Sequence, residues 1–290
     1  MSPLIAGVLT AFAFASSTMT SARASRLAGP APVLAGVMLV GAILVTPVAL
    51  TLAPLPVAPP VAVGTIVIAA LGGIANIVGL LFVYAALRIG TVGTVSTIAS
   101  TEGALAAVIS IVAGQALAPG AGIVLVAIAV GVALAASGGG REIEEGVPVP
   151  RRQALRAAGL AGIAACIFGY GLFLTGSISD QLPPAWVVLP GRLIGVAALA
   201  VPLLVLGRLR LPGAAVPYVV ATGISEVVGF STFAIGAGSD TALTAVLASM
   251  FAPIAAVAAF VLFRERLARV QVVGIALVVV GVALLGWLTA

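Results

Sequence analysis

Long apolar runs, interrupted only by short clusters of Pro, Gly and charge, fill this chain from end to end. A helix needs roughly 20 mostly apolar residues to cross about 30 Å of hydrocarbon. Runs of that kind lie at 3–21, 31–53, 62–86, 92–113, 120–137, 156–177, 184–206, 213–237, 241–263 and 270–289. The breaks are tight: PLPVAPP at 54–60, LRIG at 87–90, QALAPG at 115–120, DQLPP at 180–184, GRLRLPG at 207–213, GSD at 238–240 and RERLAR at 264–269. One connection is longer, SGGGREIEEGVPVPRRQ at 137–153, and its Gly, Pro and charge content reads as a linker. The pattern predicts an all-α polytopic membrane protein of ten transmembrane helices, with nothing left over for a soluble domain.

Two of the runs nearly repeat each other. GIANIVG at 73–79 returns as GISEVVG at 223–229, with Asn76 and Glu226 at the same place in the phrase. The offset of 150 persists in VGVAL at 130–134 and 280–284, in QALA at 115–118 against ERLA at 265–268, and in Thr94 against Thr244. Nearer the N-terminus it becomes 154, where PAPV at 30–33 answers PAWV at 184–187. The chain therefore divides into a first five-helix repeat (1–137), a linker (138–155) and a second five-helix repeat (156–290), forming one membrane domain. An odd number of helices per repeat makes the halves cross the bilayer in opposite directions, the inverted plan that places a substrate site at the midplane.

Charge tests that plan independently. The loops after spans 1, 3, 5, 7 and 9 hold Arg23, Arg26, Arg88, Arg141, Arg151, Arg152, Arg156, Arg208, Arg210, Arg264, Arg266 and Arg269. The loops after spans 2, 4, 6 and 8, and both termini, hold no arginine. Positive residues stay cytoplasmic, so the arginine-bearing loops are expected inside a cytoplasmic (inner) membrane, with both termini outside. The N-terminal MSPLIAGVLTAFAFASSTMTSARAS lacks the positive start of a secretory signal and reads as the first membrane helix.

Composition narrows the chemistry. Hydrophobic residues make up 62% of the chain and charged residues 7%, with a mean hydropathy of +1.32, where a soluble domain carries about a quarter charged residues. There is no Lys, no His and a single Cys. Disulfides, Cys/His metal sites and imidazole catalysis are excluded, and Ser and Asp do not cluster, so no enzyme is expected. A P-loop needs Lys, so ATP is not a direct driver, and no cofactor is implied. The +5 net charge is spread over short loops, which argues against nucleic acid. Cys166, within an apolar run, reads as a buried, inert thiol.

The last helix with its Gly-containing stretch VGIALVVVGVALLG (273–286 within that run), the turn RERL at 264–267 before it, and the Pro in MFAPIAAV at 250–257 resemble the EamA-type exporters of the drug/metabolite transporter superfamily. PAWVVLPGRL at 184–193 looks like the family's second-helix pattern, with Arg192 in it. The likeness covers essentially the whole chain, and its overall pattern is similar to the YddG-type amino acid exporters. Two features depart from the family. FAFASST at 12–18 stands where a Trp-Gly pair is common, and members are usually drawn with both termini cytoplasmic, the reverse of the arginine distribution.

Ionisable groups inside lipid are functional candidates by default, and Glu102, Arg192 and Glu226 qualify. Phe230 and Phe233 follow Glu226 at helical spacing, and Tyr84 lies eight residues after Asn76 on one helix face. These residues are expected to line a central cavity where Asn76 and Tyr84 offer hydrogen bonds and Glu226 attracts an ammonium group. The alternative for Glu226 is a structural bond between helices. In TVGTVSTIASTEG, Thr94, Thr97 and Thr101 share a face, with Ser100 and Glu102 beside them, suited either to a polar cavity or to close helix packing. Glu102 is a candidate partner of Arg192. Arg192 in turn either holds a substrate carboxylate or snorkels to an interface. Tyr170, between two glycines, and Ser249 with Met250 complete the candidate substrate-binding set.

One acid, one arginine and several hydroxyls suit small zwitterions such as amino acids. The reading is a monomeric secondary transporter that exports amino acids and related metabolites by alternating access. A multidrug exporter of the same fold would want more aromatic walls than the 5% aromatic content suggests. A facilitator or channel could share the same lining.

Overall fold

The computed structural model describes residues 1–53, 61–90, 92–115, 119–137, 150–255, 258 and 269–288. Among them all regular structure is helical. The elements are α1 (Pro3–Ala28), α2 (Pro30–Leu52), α3 (Val63–Ile89), α4 (Val92–Ala99), α5 (Glu102–Val112) and α6 (Ala121–Ser137). They continue as α7 (Arg151–Ser177), α8 (Pro184–Val205), α9 (Val216–Ala237), α10 (Thr241–Ala248) and α11 (Arg269–Leu288). Six of these, α1, α2, α3, α7, α8 and α9, are long and apolar enough to cross a membrane. The turn at 54–60, the linker residues 138–149 and residues 264–268 of the RERLAR turn lie outside the described residues.

Each apolar run becomes helix, and the differences have local causes. The fourth run is split at Ser100–Thr101, where the Thr101 hydroxyl donates to the Ile98 carbonyl at 2.8 Å and competes with the helical ladder. The ninth is split at Ser249–Met250. Pro253, four residues after Ser249, has no N–H to return to that carbonyl, so the regular ladder cannot pass through. α2 ends in a π-turn at Val48–Leu52 and α8 contains one at Val196–Ala200, beside Pro47 and Pro202. α1 and α7 extend beyond the predicted runs, so Arg23, Arg26, Arg152 and Arg156 sit on helix ends rather than in loops. Their long stems let the helix continue past the hydrocarbon while the charges reach water.

Four helices form the centre. α1 packs antiparallel on α9 and α3 antiparallel on α7; α2 with α8, and α6 with α11, flank them. Glycines set the spacing: a Cβ at Gly73 would meet the backbone of Gly191 at 2.4 Å, so α3 and α8 touch main chain to main chain. Large side chains such as Ile43, Val63, Ile123 and Leu204 point outward, as expected where lipid is the solvent.

The two ends of the bundle differ. At one, the Arg26 guanidinium donates to the Gly90 carbonyl at 3.3 Å and the Gln153 amide to Ile89 at 2.8 Å, among the arginine-bearing helix ends. At the other, Thr65 donates to Gln181 at 2.7 Å, and Gln115 donates to Asp240 at 2.6 Å. Asp240 also caps α10, accepting from the Leu243 amide at 2.9 Å. Burial pushes the Asp240 carboxyl up, against the opposing pull of these donors. Cys166 is exposed on the outer face of α7, so the expected burial of its thiol does not hold.

Candidate functional site

Helical periodicity brings one stripe from each central helix to a common cavity of about 50 Å³. A water needs roughly 10–15 Å³ of such space, so there is room for a few waters or one compact solute. From α3 come Gly72, Asn76, Leu80 and Tyr84, each four residues after the last and therefore on one face. α1 contributes Phe14, Ser17, Thr18 and Ser21; α9 contributes Glu226 and Phe230; α7 contributes Phe168, Gly171 and Leu172. Ser96 of α4, Glu102 at the start of α5, and Phe251 just after the break in the ninth run close the remaining side.

Glu226 is the centre of the polar side. Its Oε1 accepts a hydrogen bond from the Ser17 hydroxyl at 2.7 Å. Its Oε2 stands 3.7 Å from the Arg192 guanidinium, an ion pair without a hydrogen bond, and has no other partner. Two further buried atoms at the cavity are also unpartnered: the Asn76 amide nitrogen and the Tyr84 hydroxyl. Leaving such a group unsatisfied costs about 1–3 kcal/mol each. The amide and the hydroxyl, set beside the Glu226 carboxylate at one cavity, mark a place suited to a ligand or water.

Arg192 lies behind Glu226 rather than on the cavity wall. It is 2% exposed, its guanidinium sits 5.6 Å above the Phe230 ring, and it approaches the Met38 sulfur at 3.7 Å. Gly41 makes the space, since a Cβ there would come within 2.7 Å of the Arg192 stem. The arginine therefore pairs with Glu226, and the expected Glu102–Arg192 pair does not form. Glu102 is buried at the cavity and makes no ion pair with a described residue. The reason is placement: Arg192 and Glu226 face each other across α8 and α9, which pack together.

Five candidates thus meet at the cavity: Asn76, Tyr84, Glu102, Glu226 and Phe230. Of the others, Ser100, Thr101, Tyr170, Arg192 and Ser249 are not on its lining. Tyr170 is 52% exposed and turned to the outer face, its ring 6.3 Å from that of Phe173. Successive helical residues are about 100° apart, so with Phe168, Leu172 and Gly171 facing inward, position 170 faces out. Thr101 is exposed and spends its hydroxyl on Ile98. Ser100 is buried in the same break. Ser249 is buried and bonded to the Ala245 carbonyl at 3.2 Å, packed on Gly103. The side chain of Thr97 lies outside the described residues. Phe233, aligned with Glu226 in the sequence, is fully buried in the core.

The sequence reading missed Ser17, Thr18 and Ser21, although SSTMTS at 16–21 carries hydroxyls at helical spacing. It also missed the aromatic walls. Phe14 packs on Phe230 at 5.2 Å and on Phe251 at 6.4 Å between ring centroids, and Phe168 stands on α7. Low overall aromatic content hid their concentration at one place.

A solved crystal structure of a protein shares this fold: the TM-score is 0.69 at 20% sequence identity, covering 99% of this chain and 97% of the other. No curated protein matches the sequence. Residues 155–287 match the EamA-like transporter family, whose resemblance was carried by the turn and last helix of the same half. The second half of this membrane protein is thus similar to the EamA-like transporter family.

Proposed function

We propose that this chain is a secondary transporter that exports amino acids and related small, amine-bearing metabolites across the cytoplasmic membrane. One observation carries the reading: the Asn76 amide and the Tyr84 hydroxyl are buried without a hydrogen-bond partner, and Glu226, held by Ser17 and Arg192, stands with them at one cavity between helices of both halves. Buried polar groups are nearly always satisfied, so these await a solute that supplies an ammonium to the acid and an acceptor to the amide and hydroxyl.

Alternating access is the mechanism that inverted halves offer, one rocking against the other about a midplane site. Helix pairing supports reading residues 1–137 and 156–290 as those halves. α1 packs on α9 as α7 packs on α3, α10 on α1 as α4 on α7, and α2 on α9 as α8 on α3. The breaks in the fourth and ninth runs fall within one residue of matching places. The arginine-bearing end is the cytoplasmic one by the positive-inside rule, and the working unit is the monomer, because the cavity is complete within one chain. The four phenylalanines around the cavity favour substrates with an apolar or aromatic body, and they keep a multidrug exporter as the second reading.

Counterflow in proteoliposomes tests this. Purified protein with trapped unlabelled amino acid is expected to accumulate the labelled form transiently, and Glu226→Gln is expected to abolish that accumulation. Folded protein that exchanges no amino acid contradicts the substrate class.

A further inference from the structure

The two ends of the cavity are finished differently, and repeat partners mark the difference. Towards the arginine-bearing end the lining runs into the last two turns of α1 and α3, at Ser21 and Tyr84, and along α4 at Val95, Ser96 and Ala99. Towards the arginine-free end it stops at Phe251, just after α10. α4 and α10 are equivalent by the 150-residue offset, 92–98 against 242–248. Yet all eight residues of α10 are buried and none is on the lining. α10 lies between the cavity and the arginine-free end, packed on α1, α5 and α9. Its contact with α5 is main chain to main chain, since a Cβ at Gly103 would collide with the Ala245 carbonyl.

α10 is also held from the other half. The first N–H groups of a helix have no partner within it, and here two side chains supply partners. Asp240 Oδ1 accepts from the Leu243 amide at 2.9 Å and from Gln115 Nε2 at 2.6 Å, while Gln115 Oε1 accepts from the Ala242 amide at 3.3 Å. Gln115 follows α5 in the first half, so it completes the cap of a second-half helix. The repeat partner of Asp240 is Gly90, which has no side chain to form the counterpart at the arginine-bearing end.

Resting on the alternating-access reading above, we infer that Gln115 and Asp240 are the latch of an outer gate whose moving part is α10. Closed, the latch seals the arginine-free end. Released, it lets α10 take the open placement that α4 has at the other end, and the cavity opens outward. The hydrogen bond from the amide to the carboxylate sets the bias between the two states, because Gly90 cannot answer it.

Ala248→Cys in the Cys166→Ser chain reads the gate, because Ala248 is fully buried at the cavity end of α10. A membrane-impermeant methanethiosulfonate is applied to intact cells or inverted vesicles, whichever lets Ser239→Cys react and leaves Arg208→Cys untouched. Positions 239 and 208 are exposed at opposite ends of the bundle. Modification at 248 is expected to be slow with the latch intact and at least about tenfold faster in Gln115→Glu, which sets two carboxylates against each other. Adding Asp240→Asn, whose amide can donate to the new acid, is expected to return the slow rate. Gln115→Ala, which removes the latch without adding charge, is expected to speed modification as well. A rate unchanged in both Gln115 variants overturns the inference, and so does a fast rate that Asp240→Asn fails to reverse. Amino acid counterflow is measured beside it on the same chains. A working latch in a chain that exchanges no amino acid would leave the gate standing and sink the transport reading. Exchange with a rate indifferent to the latch would do the reverse.

Discussion

The seam between α1 and α9 and the seam between α3 and α7 are built to one plan and finished differently. In each a glycine admits a phenylalanine ring: a Cβ at Gly229 would lie 2.5 Å from the Phe14 ring, and one at Gly79 would lie 2.6 Å from Phe168. The pairs are repeat partners, 79 and 229 being 150 apart and 14 and 168 being 154 apart. The same offsets make Glu226 the partner of Asn76, and Gly171 the partner of Ser17. So the acid has a hydroxyl donor at 2.7 Å, whereas the position equivalent to that donor is a glycine packed on Ala75 and Gly72, and the Asn76 amide nitrogen has no hydrogen-bond partner.

The rest of each seam follows suit. α1 and α9 are joined by hydroxyl pairs, Thr10–Thr232 at 2.9 Å, Ser16–Ser225 at 3.0 Å and Thr20–Thr222 at 2.7 Å. α3 and α7 meet through Gly72, Gly79 and Gly171, with polar contacts at the two ends of the seam, Thr65–Gln181 and Gln153 to the Ile89 carbonyl. A carboxylate within the hydrocarbon costs several kcal/mol unless neighbours hydrogen-bond it. A carboxamide costs much less, so its helix can be packed on glycine alone and its donor left for a ligand.

Making the seams alike should break the difference most severely. Asn76→Glu would add an acid at the cavity that already holds Glu226, with a glycine where the Ser17 donor stands in the other seam, and a loss of about 3 kcal/mol is expected. Denaturant unfolding in detergent reads it, and wild-type stability in that variant would show that the donor opposite Glu226 is incidental. A smaller effect is expected from Ser17→Ala, which strands Glu226 Oε1. Here about 1–3 kcal/mol should be lost, measured the same way, with Ser17→Thr restoring most of it. The smallest should come from Thr20→Val, one interhelical hydroxyl pair in a seam that has others. About 0.6 kcal/mol is expected, and a loss as large as that of Ser17→Ala would mean the seam, rather than the acid, governs stability.

Much of this was legible in the sequence because lipid imposes simple rules. Apolar runs mark helices, and a polar residue within a run stands out, which is how Asn76, Tyr84, Glu102 and Glu226 were found and why they meet. What escaped depends on packing. Ser17 looks like any small residue of a membrane interface until Glu226 is seen opposite it. Tyr170 drew attention by its hydroxyl, yet helical phase turns it outward and brings Phe168 in. Arg192 had two acids to choose between, and only the contact of α8 with α9 decides for Glu226.

The most direct test of a substrate cavity at the centre of the bundle is aqueous access to Asn76. The single cysteine, exposed at position 166, is first removed as Cys166→Ser, and Asn76→Cys is then introduced. A small cationic methanethiosulfonate applied to proteoliposomes is expected to modify that thiol, to stop counterflow, and to be held off by a transported amine. A thiol at 76 that stays unmodified while a loop cysteine reacts fully, or one whose modification leaves counterflow unchanged, would contradict a transport site there.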